Sequence, residues 1–121
     1  MTVAQTLAIV PNRFVLEHLP NSVFPEDDEW VALVRAPEGL TVVREAPPSV
    51  EADRWVGFYG GETAHSLDVP GMLAAVISPL AEARVSVFVA STYHADLVLV
   101  PEYKLEVAMA ALQEAGHKIK P

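Results

Sequence analysis

Hydrophobic and polar residues alternate along the second half of the chain in a pattern that predicts strands and helices in turn. Residues 54–59 are rich in aromatic and β-branched side chains and end at two glycines, which predicts a strand closed by a turn. Because a proline inside a helix removes a backbone hydrogen bond, Pro79 predicts a break near Ser78 in the helix that follows. That helix is indicated by apolar residues at the i, i+3, i+4 and i+7 positions of one face, namely Leu73, Val76, Ile77 and Leu80.

Two more strands and a second helix complete this half. Residues 85–92 alternate between apolar and polar, and residues 97–100 are continuously apolar, as in a strand covered on both faces. The short polar stretch between them predicts a hairpin. Pro101 opens a second helix that ends at Gly116, and a short last strand follows. The predicted order β-α-β-β-α-β is the ferredoxin-like arrangement.

The first half carries a weaker version of the same pattern. Residues 7–10 and 14–19 predict two strands joined by a Pro11-Asn12 turn, and the acidic, proline-rich stretch after them predicts only a short helical turn. Residues 31–34 and 40–43 predict a hairpin that aligns with the second hairpin of the chain without a gap.

The fold expected from these patterns is α+β, with two tandem ferredoxin-like (βαββαβ) units. The first unit is divergent, the sheets are antiparallel, and the helices lie on one face. The first unit with its proline-rich linker covers residues 1–53, and the second unit covers residues 54–121.

Composition narrows the classes of function. The 121 residues carry a formal net charge of −8 at pH 7, and the basic residues are scattered, so neither nucleic acid nor an anionic membrane is expected as a partner. The absence of cysteine from the sequence excludes a disulfide framework, a thiolate nucleophile and a thiolate zinc site. No apolar run approaches the roughly 20 residues of a membrane span, and no secretory signal is evident. We therefore expect a cytoplasmic protein.

The loop that leads into the first predicted helix is the strongest candidate site. A helix N-terminus presents free N–H groups and a partial positive charge, which suit a carboxylate, and Gly71 allows a ligand to approach the backbone. Asp68 is placed to hold an ammonium group, so both charges of an amino acid have a counterpart. The same residues also fit an ordinary helix cap, with a glycine that makes room for packing.

The end of the second predicted hairpin is the other candidate. Thr92, Tyr93 and Asp96 are expected near the same loop, because the first helix and the central hairpin of a ferredoxin-like unit lie side by side. Asp96 directly precedes an apolar strand, where a partly desolvated carboxylate favours a cationic partner, although an ordinary turn aspartate fits as well. His65 and His94 lie near aspartates but at no recognised catalytic or metal-binding spacing, so we expect no catalytic residue, no metal and no cofactor.

Three stretches of the second half, residues 66–73, 77–83 and 85–102, resemble ACT domains, and in particular the CASTOR-like branch of tandem ACT amino-acid sensors. The resemblance implies a divergent first ACT-like unit and a ligand held between ACT units. In that branch an aspartate that matches Asp96 contributes to ligand recognition. The implied ligand-binding residues are Ser66, Leu67, Asp68, Val69, Gly71, Met72, Val76, Thr92, Tyr93 and Asp96.

The sequence thus predicts a non-catalytic regulatory protein that binds a free amino acid, neutral or cationic, at an ACT–ACT interface. A contact across a homodimer is favoured over one between the two halves of a chain. Two alternatives stay open: a ligand-free oligomerisation or protein-interaction module, and a small enzyme that uses His65, His94 and the two aspartates.

Overall fold

One antiparallel sheet with a single parallel pair runs through both halves of the chain in the computed structural model, which describes residues 4–21, 23–47, 53–60 and 71–121. In chain order its elements are β1 (Thr6–Leu19), β2 (Trp30–Ala36), β3 (Gly39–Glu45), β4 (Trp55–Tyr59), α1 (Met72–Glu82), β5 (Phe88–Ser91), β6 (Asp96–Pro101), a 3₁₀ turn (Glu102–Lys104), α2 (Leu105–Glu114) and β7 (Lys118–Lys120). Within the described ranges the strand order is β2-β3-β1-β4-β6-β5, and β7 also pairs with β1.

The second half has the predicted element order β4-α1-β5-β6-α2-β7. Strands β4, β6 and β5 are antiparallel neighbours. Strand β1 comes from the first half and lies between β4 and β7, since it pairs antiparallel with β4 and parallel with β7. None of the helices that the structure describes is long and apolar enough to cross a membrane.

The first half does not repeat this arrangement. Its described residues form three strands and no helix, so the expected second βαββαβ unit is not confirmed. The predicted turn at Pro11-Asn12 is wrong, because β1 continues through both residues. A register shift between Ile9 and Arg13 absorbs the proline, which has no N–H to give to a strand ladder.

The predicted hairpin of the first half is confirmed as β2 and β3. Gly39 follows its two-residue turn with a φ of 136°, a value that side-chain-bearing residues rarely adopt. A Cβ at this position would also lie 2.6 Å from the carbonyl oxygen of Leu19. Glycine is therefore required here both by the backbone conformation and by the close approach of β1.

Two apolar clusters cover the two faces of the sheet. On the helix face, Phe58 and Val100 from the strands pack with Leu80 of α1 and Leu112 of α2, and all four are fully buried. Neither described helix lies on the opposite face, and there Phe14, Val43 and Leu99 form a smaller buried cluster. Both described helices thus lie on one face, as predicted.

Helix α1 runs from Met72 to Glu82 through Pro79, so the predicted break near Ser78 is wrong. Proline has no N–H to donate to the carbonyl oxygen four residues earlier, which belongs to Ala75. The buried His117 takes over that role, with its Nε2 atom 2.8 Å from the Ala75 oxygen. Its Nδ1 atom accepts the N–H of Gln5 at 3.1 Å, which leaves the ring hydrogen on Nε2.

Glu102 at the start of the 3₁₀ turn joins the two halves of the chain. Its carboxylate accepts hydrogen bonds from Nε of Arg13, at the bulge of β1, at 2.8 Å and from Nε of Arg54, just before β4, at 3.1 Å. Its backbone N–H also donates to the Arg54 carbonyl oxygen at 2.8 Å. The hydrogen bond from Arg13, followed by that from Arg54, holds the pKa of Glu102 below its ordinary value.

We expect His117→Phe to lower the free energy of unfolding by about 2–3 kcal/mol, because it leaves the Ala75 carbonyl and the Gln5 N–H buried without partners. Pro79→Ala supplies a backbone N–H for the Ala75 carbonyl. In that background we expect His117→Phe to cost only about half as much, as measured by urea unfolding of both single variants and the double variant. Equal costs in the two backgrounds would contradict the link between the proline and the histidine.

We expect Glu102→Gln to lower the free energy of unfolding at pH 7 by about 0.5–1 kcal/mol, a small value because the three side chains are about one-third exposed. The folded pKa lies below the unfolded one, so the carboxylate stabilises the fold above the unfolded pKa. This contribution is lost as the pH falls through the folded pKa. The stabilities of wild type and variant, measured by urea unfolding, should therefore converge once the pH is below the folded pKa of Glu102, and a difference that persists there would argue against the ion pairs as its source.

Candidate functional site

Six of the ten predicted ligand-binding residues are described by the structure. Gly71, Met72 and Val76 belong to the start of α1, and Thr92, Tyr93 and Asp96 belong to the turn between β5 and β6 and its end. The remaining predictions, Ser66, Leu67, Asp68 and Val69, lie outside the described residues, as does His65.

The start of α1 and the β5–β6 turn lie at the same end of the sheet. Tyr59, the last residue of β4, pairs with Leu97, and Asp96 pairs with Ser91, so the end of β4 is beside the turn. Gln5 precedes β1 at this same end, since Ala8 of β1 pairs with Tyr59. The side-chain amide of Gln5 donates to the Met72 carbonyl oxygen at 2.8 Å, which places the start of α1 there too.

Asp96 is on the sheet face that the helices cover. Side chains alternate between faces along a strand, and Val98, two residues further along β6, belongs to the helix-side core. The carboxylate is half-buried, and its Oδ1 atom accepts a hydrogen bond from the Ser91 hydroxyl at 2.7 Å. A carboxylate thus lies at the same end and on the same face as the start of α1.

Thr92 and Tyr93 differ in what they offer. The Thr92 hydroxyl closes the turn, because it accepts the Ala95 N–H and donates to the Ala95 carbonyl oxygen, both at 3.0 Å, and it also contacts the Tyr59 hydroxyl at 3.2 Å. Tyr93 is 75% exposed, and its ring meets the edge of the exposed His94 ring. Thr92 therefore shapes the turn, while Tyr93 presents an aromatic surface beside it.

Met72 and Val76 point into the protein. Both side chains are buried, and Val76 belongs to the helix-side core. Their side chains are thus packing residues, and what the first turn of α1 offers to a ligand is its backbone.

Gly71 is the N-cap of α1, with a φ of 85°. A Cβ built on it meets no described residue within 4 Å, so the described part of the chain gives the glycine no packing role. No side chain among the described residues caps the N-terminus of α1, and the first turn contains no acidic residue. The first N–H groups of the helix therefore keep the partial positive charge that attracts an anion.

Comparison with known proteins identifies the family of this chain. Residues 50–114 match the sequence profile of a family described as ACT domain. This chain belongs to the ACT-domain family. Among curated relatives, the human cytosolic arginine sensor for mTORC1 subunit 1 is 32% identical over 100 residues, which is 71% of this chain and 30% of the relative. The mouse protein of the same name is 31% identical over 99 residues. The predicted resemblance to ACT domains of the CASTOR-like branch is confirmed, although the chain spans less than a third of the length of these relatives.

Two solved structures share the fold of this ACT protein. The crystal structure of the protein Atu0741 from Agrobacterium tumefaciens has a TM-score of 0.82 and 27% identity, with 98% of this chain and 93% of that chain covered. The structure of VC0802 from Vibrio cholerae, a protein of unknown function described as a possible transport protein, has a TM-score of 0.71 and 26% identity. The match covers 89% of this chain and 88% of that one.

Among the described residues, this end of the sheet has no metal site, and the groove that reaches it is open and not enclosed. Within the described ranges, no group of three His, Asp or Glu side chains is arranged to hold a metal ion. An open groove of about 290 Å³ lies beside the helices, but among the described residues of the predicted site it contacts only Gly71. Its other lining residues are Ala74, Ala75, Ser78, Pro79, Glu82 and Ala115.

Sequence reasoning missed three polar residues around the site, namely Gln5, Ser91 and His117. Gln5 and His117 are buried polar side chains that contact the first two turns of α1, and Ser91 holds the carboxylate of Asp96. The one available signal was Pro79, since a proline inside a predicted helix calls for a donor from elsewhere in the chain.

We expect Gly71→Ala to lower the free energy of unfolding by about 1 kcal/mol, because alanine is strained at this positive φ although space is available. Gly116→Ala is the matched comparison and should cost a similar amount. Gly116 also has a positive φ, and no described atom lies within 4 Å of its Cβ position. Gly71→Asn should cost less, because asparagine tolerates the left-handed region. Thermal and urea unfolding measure all three, and a Gly71→Ala variant as stable as wild type would contradict the conformational role.

Proposed function

We propose that this ACT-domain protein is a non-catalytic, cytoplasmic regulatory protein that binds a free amino acid. The observation that carries the proposal is the juxtaposition of two opposite charges at one end of the sheet. The N-terminus of α1, which no described side chain caps, attracts an anion, and Asp96 on the same face attracts a cation. A zwitterionic amino acid has both groups.

The carboxylate of the ligand is assigned to the first turn of α1. Backbone N–H groups of Val69, Gly71 and Met72 would donate to it, since Pro70 has no N–H, and the positive φ of Gly71 turns the chain into the helix at this point. Ser66, Leu67 and Asp68 are proposed to complete the binding loop. Because the side chains of Met72 and Val76 are buried, they would set the position of the turn and not contact the ligand directly.

The cationic part of the ligand is assigned to Asp96. Its half-buried carboxylate is already oriented by the hydroxyl of Ser91, so little entropy is lost when it meets an ammonium or guanidinium group. Thr92 and the exposed ring of Tyr93 would line the ligand next to it. The relatives named as arginine sensors support an amino-acid ligand and make cationic amino acids the first to test.

The site is proposed to be completed by a second ACT unit across a homodimer. Residues 54–121 would form the ACT unit of each copy, with residues 1–53 as its divergent partner. The exposed Tyr93 ring leaves apolar surface beside Asp96 that a second copy would cover. A ligand held between two units stabilises one arrangement of them by its differential affinity, and a regulated partner can respond to that arrangement.

A ligand-free interaction module is the second candidate, and one observation favours it. Strand β2 lies at the edge of the sheet and exposes the apolar side chains of Trp30, Val31 and Val34. Exposed apolar residues on an edge strand favour pairing with another chain. This function needs no ligand at the other end of the sheet.

Isothermal titration with each of the twenty amino acids, together with thermal shift, tests the sensor function. We expect at least one to bind wild type, and Asp96→Asn to weaken its binding about tenfold or more, a loss of about 1.4 kcal/mol. Asparagine keeps the acceptor for Ser91, so the variant removes charge and leaves the turn intact. Glu106→Gln, at an exposed position on α2, is the control for charge and should bind like wild type.

Two results would count against the proposal. If no amino acid produces heat or a thermal shift, the sensor function fails and the ligand-free module is favoured. If Asp96→Asn and Glu106→Gln weaken binding equally, Asp96 has no specific role in recognition.

A further inference from the structure

Two buried side chains hold the first two turns of α1 from beneath. The side-chain amide nitrogen of Gln5 is 2.8 Å from the Met72 carbonyl oxygen, and Nε2 of His117 is 2.8 Å from the Ala75 carbonyl oxygen. Gln5 is 7% exposed and His117 is 3% exposed. Hydrogen bonds at such depth are lost only at a cost of about 1–3 kcal/mol each, so they constrain the carbonyl groups they contact.

The two residues are hydrogen-bonded to each other, and the Gln5 backbone is also hydrogen-bonded to the start of β7. The backbone N–H of Gln5 donates to Nδ1 of His117 at 3.1 Å, and the Gln5 carbonyl oxygen accepts the N–H of Lys118 at 2.9 Å. Gln5 immediately precedes β1, and His117 immediately precedes β7. We call these two residues the Gln5–His117 bracket, because they connect the β1–β7 pair to α1.

Among the described residues, the start of α1 has neither a side-chain cap nor a complete set of backbone hydrogen bonds, so the bracket is needed to hold its carbonyl groups. No side chain among the described residues caps the helix, and its N-cap is a glycine. Pro79 also removes the backbone hydrogen bond that would have held the Ala75 carbonyl. The bracket supplies donors to this part of the helix from outside it.

Gly60, at the end of β4, leaves the space that Gln5 needs. A Cβ on Gly60 would lie 3.3 Å from the side-chain oxygen of Gln5, closer than most such contacts. The Gln5 amide therefore fits between the end of β4 and the start of α1. These are the two described segments that flank residues 61–70.

We infer that Gln5 and His117 are positioning residues for the proposed amino-acid site. They fix the first turn of α1, so that its N–H groups point at the ligand carboxylate without having to be ordered during binding. This inference rests on the proposed function for its effect on affinity. The ordering of the turn itself exists in the free protein and is measured there.

Gln5→Met tests the inference, since methionine keeps the length of the side chain but cannot donate to the Met72 carbonyl. In the free protein, we expect amide hydrogen exchange at Ala75 and Val76 to accelerate about tenfold relative to exchange at Leu112 in α2. In calorimetry with L-arginine and the other nineteen amino acids, we expect the dissociation constant of the bound amino acid to rise about tenfold. Val43→Ala, in the buried cluster on the opposite face, is the control for lost stability and should change neither measurement.

His117→Phe provides a rescue test. We expect it to weaken binding as Gln5→Met does, and we expect Pro79→Ala to restore most of that affinity, because residue 79 then donates to the Ala75 carbonyl. Because Pro79→Ala also recovers part of the stability lost in His117→Phe, affinity is measured at a temperature at which all variants are fully folded. The recovered affinity then reports the ordering of the first turns of α1 and not the fraction of folded protein.

The outcomes separate this inference from the proposed function. If wild type binds no amino acid, the proposed function fails, and the exchange measurement alone decides whether the bracket orders the turn. The inference is overturned if Gln5→Met leaves exchange at Ala75 and Val76 at the wild-type rate. It is also overturned if Val43→Ala raises exchange or the dissociation constant as much as Gln5→Met does.

Discussion

The insertion of β1 between β4 and β7 is the constraint on which the rest of the structure depends. It makes one sheet from two halves of the chain, since β1 pairs with β4 along one side and with β7 and then β3 along the other. It also carries two polar residues of the first half into contact with the second. Gln5 reaches the start of α1, and Arg13 at the bulge reaches the start of the 3₁₀ turn. Helix α1 and the 3₁₀ turn therefore each have an anchor in the first half.

Local pattern predicted the second half well because its signals are short-range. The helical period of α1 and the apolar run of β6 can each be recognised within a window of about ten residues. The order of these elements along the chain then predicts the ferredoxin-like arrangement. Pro11 and Pro79 were misjudged for a common reason. A local rule places Pro11 in a turn and a helix break at Pro79, because proline lacks the N–H that a strand or a helix needs. In the structure a bulge in β1 accommodates Pro11, and the distant His117 replaces the hydrogen bond that Pro79 cannot make.

The continuation of α1 through Pro79 shows how packing overrides that cost. A proline inside a helix costs about 3 kcal/mol relative to alanine. Burying Val76 and Leu80 on the inner face favours the helix by about 1.5–3 kcal/mol each, and both are almost fully buried. His117 removes the remaining penalty of an unpaired carbonyl. His117 and the strand residues of the core in which Val76 and Leu80 are buried, such as Phe58 and Val100, are distant from Pro79 in the sequence, so a local rule cannot weigh them.

The candidate site was predictable in its location but not in the role of each side chain. The ferredoxin-like order brings the start of α1 and the β5–β6 turn to one end of the sheet, and the structure agrees for the residues that it describes. Resemblance to a family transfers positions, but it does not tell which way a side chain points. Met72 and Val76 are core residues, whereas the backbone of the same turn is available for binding. The backbone of this turn is held by two buried residues, because Gln5 contacts the Met72 carbonyl and His117 contacts the Ala75 carbonyl. These two residues lie far from α1 and from each other in the sequence, so no local motif reveals their contact with the helix.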